Sequence, residues 1–391
     1  MTIGASKDEA GGGRIRLGMV GGGQGAFIGA VHRIAARIDD QFELVAGALS
    51  SDPERARASA AELGLDPARG YASFAEMAAA EAARPDGIEA VAIVTPNHVH
   101  APAAKAFLAA GIHVICDKPI TLDVAEAEEL VAAAEASGRL FVVTHNYTGY
   151  PMIRQARELV ASGALGEIRL IQVEYAQDWL TEPVERAGSK QAEWRTDPAR
   201  SGAGGAIGDI GTHAYNLACF VGGSEAEELL AQLTRFVPGR ALDDDAQILL
   251  RYPGGARGML WASQVAVGNE NALRLRVYGA KAGLDWAQEE PNKLWFTRLG
   301  EPKQLLTRGG AGAVPAAARV TRIPAGHPEG YLEGFATLYA EAARAIRAAR
   351  AGEAPPAGVL YPTVRDGLAG MRFIAAAVAS SEAGNVWTRL A

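Results

Sequence analysis

Cysteine is nearly absent: Cys116 and Cys219 are the only two in 391 residues. Two thiols so far apart in sequence give no disulfide framework and no cysteine-based zinc site, so both are expected to be reduced and buried. Positive charge is also scarce. Lys and Arg number 38 against 45 Asp and Glu, a formal net charge of −7. Such a chain offers no basic field to a phosphate polymer, which argues against nucleic acid and anionic membrane as partners. No apolar run reaches membrane-spanning length, and residues 1–13 show neither a basic-then-apolar leader nor a twin-arginine pair. The expected location is the cytoplasm. No repeat of fixed period is found either. What is abundant is apolar side chain: 49% hydrophobic residues with 21% charged describe a globular protein with sizeable cores, and the length suits two domains.

Residues 14–147 alternate short β-branched runs with amphipathic segments. Strands are expected at 15–20, 43–49, 90–94, 113–116 and 140–144, with helices between them such as 52–63 and 123–136. Continuous apolar strands separated by helices predict an α/β domain, a doubly wound parallel sheet covered on both faces. After residue 147 strand candidates follow one another at 168–177, 229–237, 246–252, 258–267 and 273–278. This predicts a second, α+β domain over 148–391 with a large, open-faced, mostly antiparallel sheet. In Leu273-Arg274-Leu275-Arg276-Val277 the alternation buries one face and leaves the other polar. That polar face predicts association into a homodimer or homotetramer. Residues 309–318 read as a mobile loop, Pro355-Pro356 as a helix break, 363–380 as a closing helix, and 1–13 as an unstructured tail.

Gly21-Gly22-Gly23 follows the first strand and precedes a helical pattern containing Ile28, Val31 and Ile34. Backbone without Cβ at a helix start is what a pyrophosphate requires, since orphan N–H groups and the positive dipole end meet it there. Gly21, Gly23, Gln24, Gly25 and Ala26 are therefore candidate cofactor contacts; either Ala26 or Gly29 fills the third, packing position of the fingerprint. Ser50 and Ser51, where an acidic residue would accept the adenosine ribose, leave NAD and NADP both open, with Asp52 able to reach a ribose and Arg55 a 2′-phosphate. Asp243-Asp244-Asp245 reads as a solvated turn rather than a metal site, and no metal is expected.

Three local patterns coincide: Thr95-Pro96-Asn97-His98 after the third strand, Asp117-Lys118-Pro119 after the fourth, and Gly208-Asp209-Ile210-Gly211-Thr212-His213 in the second half. Together the chain from Arg14 onward resembles the glucose-fructose oxidoreductase and inositol dehydrogenase family, Gfo/Idh/MocA. The resemblance implies a Rossmann domain, an open-faced sheet domain, and a nicotinamide dinucleotide that meets a sugar-like small-molecule substrate; the leading expectation is a dehydrogenase whose cofactor dissociates. Lys118 matches the lysine of the family's E-K-P motif, with Asp117 replacing its glutamate, and Asp209 and His213 match its D-x-x-x-H pair. Thr95, Asn97, His98, Asp117 and Lys118 fall where the family's loops approach the cofactor.

Chemistry points the same way. Oxidising a carbinol needs a base for the hydroxyl proton, and a neutral imidazole suits that near neutral pH, so His213 is the candidate base. Asp209, four residues earlier, shares a helical face with it and is its candidate partner. Lys118 at the carboxyl edge of the sheet is placed to polarise the oxygen. Tyr147, Trp179, Trp194 and Arg195 are candidate substrate contacts by stacking and hydrogen bonding. Two alternatives stay open: a redox-assisted glycosidase that retains its cofactor, using the same residues, and a nucleotide sensor without turnover.

Overall fold

The computed structural model describes residues 13–390; the expected tail therefore lies almost wholly outside the described residues. The chain forms two compact units.

The first unit takes the chain through Thr121, then Ala125–Gly149, and then Tyr331–Leu368. Its sheet has five parallel strands, β1 (Ile15–Gly21), β2 (Phe42–Ala48), β3 (Ala90–Val94), β4 (His113–Cys116) and β5 (Phe141–Val143), in the order β2-β1-β3-β4-β5. The order reverses at β1, so the turn after β1 lies at the switch point where open α/β sheets gather ligands. The single cut expected at 147/148 needs amending, because the Tyr331–Ala351 helix returns to this unit. The reason is its apolar stripe: Phe335, Ala336, Tyr339, Ala342, Ala343 and Ile346 share one core with Ile15, Leu17, Val31 and Phe42. Tyr339 meets the edge of Phe42 at 5.3 Å between ring centroids. Burying such a stripe removes apolar surface at about 25 cal/mol per Å².

The second unit holds a nine-stranded mixed sheet: β6 (Ile168–Ala176), β7 (Glu228–Thr234), β8 (Asp245–Arg251), β9 (Arg257–Ser263), β10 (Ala272–Gly279), β11 (Ala282–Ala287), β12 (Lys293–Arg298), β13 (Gln304–Thr307) and β14 (Thr388–Arg389). The order is β13-β12-β11-β10-β6-β9-β8-β7-β14. Only β6 and β9 pair in parallel, as a long crossover between them requires. Alternation along the strands buries one face, with Leu273, Leu275 and Val277 turned to the core. On the other face the register lines up Leu230, Leu249 and Met259 on one side, Gln172, Arg276 and Asp285 in the middle, and Trp295 and Leu305 beyond.

Two expectations are corrected within this unit. Asp243, Asp244 and Asp245 do not form a solvated turn: all three are buried. Each has backbone or ring N–H donors to satisfy, which is why burial is tolerated. Residues 309–318 include a short helix, Pro315–Ala318, and are gripped by Gln155, whose amide bonds Gly312 O (3.2 Å) and the Val314 N–H (2.8 Å). The neighbouring segment is tied down by Arg308, which is buried against Glu329 at 2.8 Å and donates to the carbonyls of Ile323, Pro324 and His327. Neither cysteine forms a disulfide; Cys116 is buried, as expected, while Cys219 is only partly so. No described helix is long and apolar enough to cross a membrane.

Candidate active site

In the first unit β1 runs out at Gly21 and a helix begins at Phe27 (Phe27–Ile38), with Ala26 as the residue before its first turn. Gly29 takes the packing role: a Cβ there would lie 2.4 Å from Gly22 Cα, so strand-end and helix touch only because both residues are bare. Gly25, at φ +79°, faces open space, and nothing would meet a Cβ within 4 Å. The turn thus presents Cβ-free backbone at a helix N-terminus with room above it, which fits a dinucleotide pyrophosphate. A Cβ on Gly23, by contrast, would fall 2.7 Å from Leu49 O. A cavity of about 380 Å³ adjoins the turn, lined by residues 22–27 together with Arg33, Ser59 and Glu62. Gln24 is anchored there, its N–H to Ser59 Oγ (3.0 Å) and its amide to Glu62 (2.8 Å). After β2, Ser50 and the exposed Ser51 precede Asp52, which caps the Pro53–Glu62 helix by accepting the Arg55 N–H at 2.9 Å. That backbone hydrogen bond holds the Asp52 carboxyl below its ordinary range.

Two further turns leave the same sheet edge. Thr95, the buried Asn97 and the exposed His98 follow β3; Asp117 and Lys118 follow β4. His100 joins these turns, its ring nitrogens 2.8 Å from Thr95 O and 2.7 Å from Pro119 O. The Asp117 carboxylate is engaged by His32 (3.0 Å) and the Thr144 hydroxyl (2.5 Å). Beyond β5, His145 is buried, and burial together with the charge of Lys118 pushes its imidazole down to about 3, so it is neutral at physiological pH. Tyr147 is also buried, at 3% exposure.

In the second unit Asp209 lies in a π-helical turn, Ile207–Gly211, that runs directly into the Thr212–Gly222 helix carrying His213. A widened turn of this kind recurs at functional sites. Residues four apart still lie near one face of the continuous segment. Asp243 fastens the entry: its carboxylate accepts the N–H groups of Gly205 (2.7 Å) and Ile207 (2.8 Å), and its carbonyl accepts that of Ala206 (2.9 Å). Asp209 Oδ2 accepts from Arg195 Nε (3.2 Å) and Gln264 Nε2 (2.8 Å). The Arg195 guanidinium lies 4.3 Å from the Trp194 ring centroid and 6.0 Å from that of Trp179. Trp179, Trp194, Arg195 and Asp209 therefore form one cluster. Behind it, Trp179 Nε1 donates to Gln177 (3.0 Å), Gln177 and the Tyr175 hydroxyl donate to Asn271 (2.7 and 2.8 Å), and the Tyr175 ring sits 6.4 Å from that of His213.

Sequence reasoning missed Gln264, Asn271 and Gln177, which carry no motif and reach the site only through strand pairing. Asp243 was visible but misread. His32 left a signal: it falls beside Val31 and before Ala35 on the buried stripe of its helix, where a polar ring needs a partner.

A parallel sheet with a bare glycine turn at its switch point, joined in one chain to a sheet unit presenting a fixed carboxylate and an imidazole on one helix, defines a dinucleotide-dependent oxidoreductase. Residues 15–145 match the oxidoreductase family with NAD-binding Rossmann fold, and residues 153–285 match the GFO/IDH/MocA C-terminal domain. The chain belongs to the Gfo/Idh/MocA family of NAD-binding oxidoreductases. An oxidoreductase from Sinorhizobium meliloti is 60% identical and superposes with a TM-score of 0.88 over 97% of this chain and 100% of its own. An inositol dehydrogenase homolog from Azotobacter vinelandii, complexed with NADH and myo-inositol, is 40% identical with a TM-score of 0.90 over 96% of this chain and 98% of its own. Levoglucosan dehydrogenase of Pseudarthrobacter phenanthrenivorans is 28% identical over 72% of this chain and 75% of its own.

Proposed function

We propose that the protein oxidises a secondary hydroxyl carbon of a sugar, cyclitol or sugar derivative, with His213 as the base, Asp209 as its partner and Lys118 as the group that polarises the oxygen. The observation that carries this reading is the Asp209 cluster: a carboxylate one turn before His213, held by Gln264 and by Arg195, whose guanidinium lies beside two indoles. Indole faces and amide groups suit the apolar ring faces and hydroxyl edges of a polyol. The relatives complexed with myo-inositol or named for levoglucosan act as precedents for that substrate class.

When bound, the dinucleotide supplies the hydride acceptor; the turn at residues 21–25 and the loops at 95–98 and 117–118 would hold it. His213 takes the hydroxyl proton at its imidazole, and without that transfer positive charge would build at the carbon as hydride departs. Asp209, fixed by Arg195 and Gln264, steadies the imidazolium. Lys118 donates to the substrate oxygen and stabilises its developing negative charge. The outer face of the second sheet, with exposed Leu249, Met259, Trp295 and Leu305 on either side of a polar middle, serves self-association into a dimer or tetramer.

The test is reduction of NAD+ and NADP+ by a panel of myo-inositol, levoglucosan, free hexoses and simple glycosides. Reduced cofactor formed in proportion to product supports the reading. Binding of cofactor with no oxidation of any polyol would sink it, and glycoside cleavage without net reduction would replace it by redox-assisted hydrolysis.

A further inference from the structure

Three of the seven histidines, His32, His100 and His145, are buried around one turn, Asp117-Lys118-Pro119. They come from different places: the helix after β1, the helix after β3 and the end of β5. His100 grips the Pro119 carbonyl, and His145 feels the charge of Lys118. His32 is the one that reaches the carboxylate.

His32 is fully buried, with Nε2 3.0 Å from Asp117 Oδ1 and Nδ1 2.8 Å from the Tyr339 hydroxyl. The edges of Phe335 and Tyr339 hold the ring, at 5.1 and 5.8 Å between centroids. An ionised carboxylate only accepts, so Nε2 carries the hydrogen and Nδ1 accepts from Tyr339. Each hydrogen bond of the string Tyr339–His32–Asp117–Thr144 then runs from donor to acceptor, with His32 Nε2 and the Thr144 hydroxyl both on Asp117 Oδ1. Burial pushes the Asp117 carboxyl up, but the interaction with His32 and the hydrogen bond from the Thr144 hydroxyl outweigh it and hold the group below its ordinary value. Asp117 acts electrostatically on His32, His100, Cys116 and Tyr339, and Lys118 acts on His100 and His145.

Packing gives no reason for this string. Position 32 lies on a stripe with Gly29, Val31, Ala35 and Ala36, all buried, and an apolar side chain would fill it without desolvating an imidazole, a phenol and a carboxylate. What the string gains is a fixed anion one residue before Lys118. We propose that His32 is a positioning residue for the reaction, which fixes the Asp117 carboxylate and through it the placement and charge state of the Lys118 amine. The inference rests on the reading of Lys118 as the group that meets the substrate oxygen.

The experiment compares wild type, His32→Leu, His32→Gln, Asp117→Asn and Lys118→Ala. Two quantities are read: kcat with the best polyol and NAD+, and the apparent pKa of Lys118, from competitive labelling with trace acetic anhydride across pH and mass spectrometry of its peptide. His32→Leu leaves Asp117 with one donor fewer and easier to neutralise, which on this proposal removes the anion that sets Lys118. The expected result is a lower labelling pKa for Lys118 in His32→Leu and Asp117→Asn. In both, kcat should fall about ten- to a hundredfold, the scale of a small misplacement at a reacting centre. His32→Gln, which keeps an N–H donor and an acceptor, should restore both. A cooperative thermal unfolding transition in all variants, followed by circular dichroism, shows that the fold survives; if His32→Leu does not fold, Asp117→Asn carries the comparison. Unchanged Lys118 labelling and unchanged kcat in the folded His32 or Asp117 variants overturn the inference. Full activity in Lys118→Ala would instead overturn the reading beneath it, and the labelling shift would then stand alone.

Discussion

Asp243 holds the entry to the π turn with a carboxylate buried among backbone, and this makes a quantitative pH signature. Burial pushes its acid up to about 6, despite hydrogen bonds from Ile207 and Gly205 that favour the anion, and Asp244 adds to the upward push. The folded value lies above the unfolded one, so between the two the native chain binds the proton more tightly. Stability from this group is therefore fully present below the ordinary carboxylate value near 4 and declines as pH rises through 6. Ionising Asp243 in the fold is harder than in the unfolded chain by about 3 kcal/mol, at 1.36 kcal/mol for each pKa unit. Between pH 5 and pH 7.5 the loss from this one group is about 1–1.5 kcal/mol. Asp243→Asn removes the titration and leaves one amide hydrogen facing an N–H, a roughly constant cost of about 1–3 kcal/mol. Urea unfolding of both proteins at a series of pH values, followed by tryptophan fluorescence, isolates the effect as a difference. The stability of the Asn variant relative to wild type is expected to rise by that amount from pH 5 to pH 7.5. A difference that is flat, or that falls with pH, refutes the reasoning.

Gly29→Leu is expected to break the contact with Gly22 and abolish dinucleotide binding, while Ala26→Gly leaves it within a few fold; fluorescence titration with NADH checks both. Glu329→Leu strands the buried Arg308 guanidinium and should lower stability by about 3–5 kcal/mol, seen as a large drop in the thermal midpoint. Light scattering at micromolar concentration is expected to give a multiple of the 40.8 kDa chain mass, and a value near 40.8 kDa would remove the proposed role of the outer sheet face.

Much of the first unit was legible because a strand buried on both faces writes itself as an unbroken apolar run. Ala90–Val94 and His113–Cys116 are found where the sequence places them, and the closing helix, expected over 363–380, spans Val364–Glu382. β11, β12 and β13 were not read, since Ala282–Ala287 and its neighbours are short and half polar, and their strand character comes from pairing with β10. The return of Tyr331–Ala351 to the first unit was hidden for a related reason: an apolar stripe announces burial and not against which sheet. At the site, motif residues such as Asp209 and Lys118 stand out by spacing. The residues that fix them do not, because Gln264 lies 55 positions from Asp209 and His32 lies 85 from Asp117. Asp243 was misread because three successive carboxylates look solvated until the backbone N–H groups that face them are known.

The central proposal is that a polyol hydroxyl gives its proton to His213 while Lys118 polarises the oxygen. Single-turnover reduction of NAD+ by the best polyol substrate, measured against pH for wild type, His213→Ala and Lys118→Ala, tests it most directly. The account expects His213→Ala to slow the hydride step by about 10²–10⁴-fold and to lose the pH dependence of its base, with cofactor affinity unchanged. A hydride step of wild-type rate and pH profile in His213→Ala would contradict it.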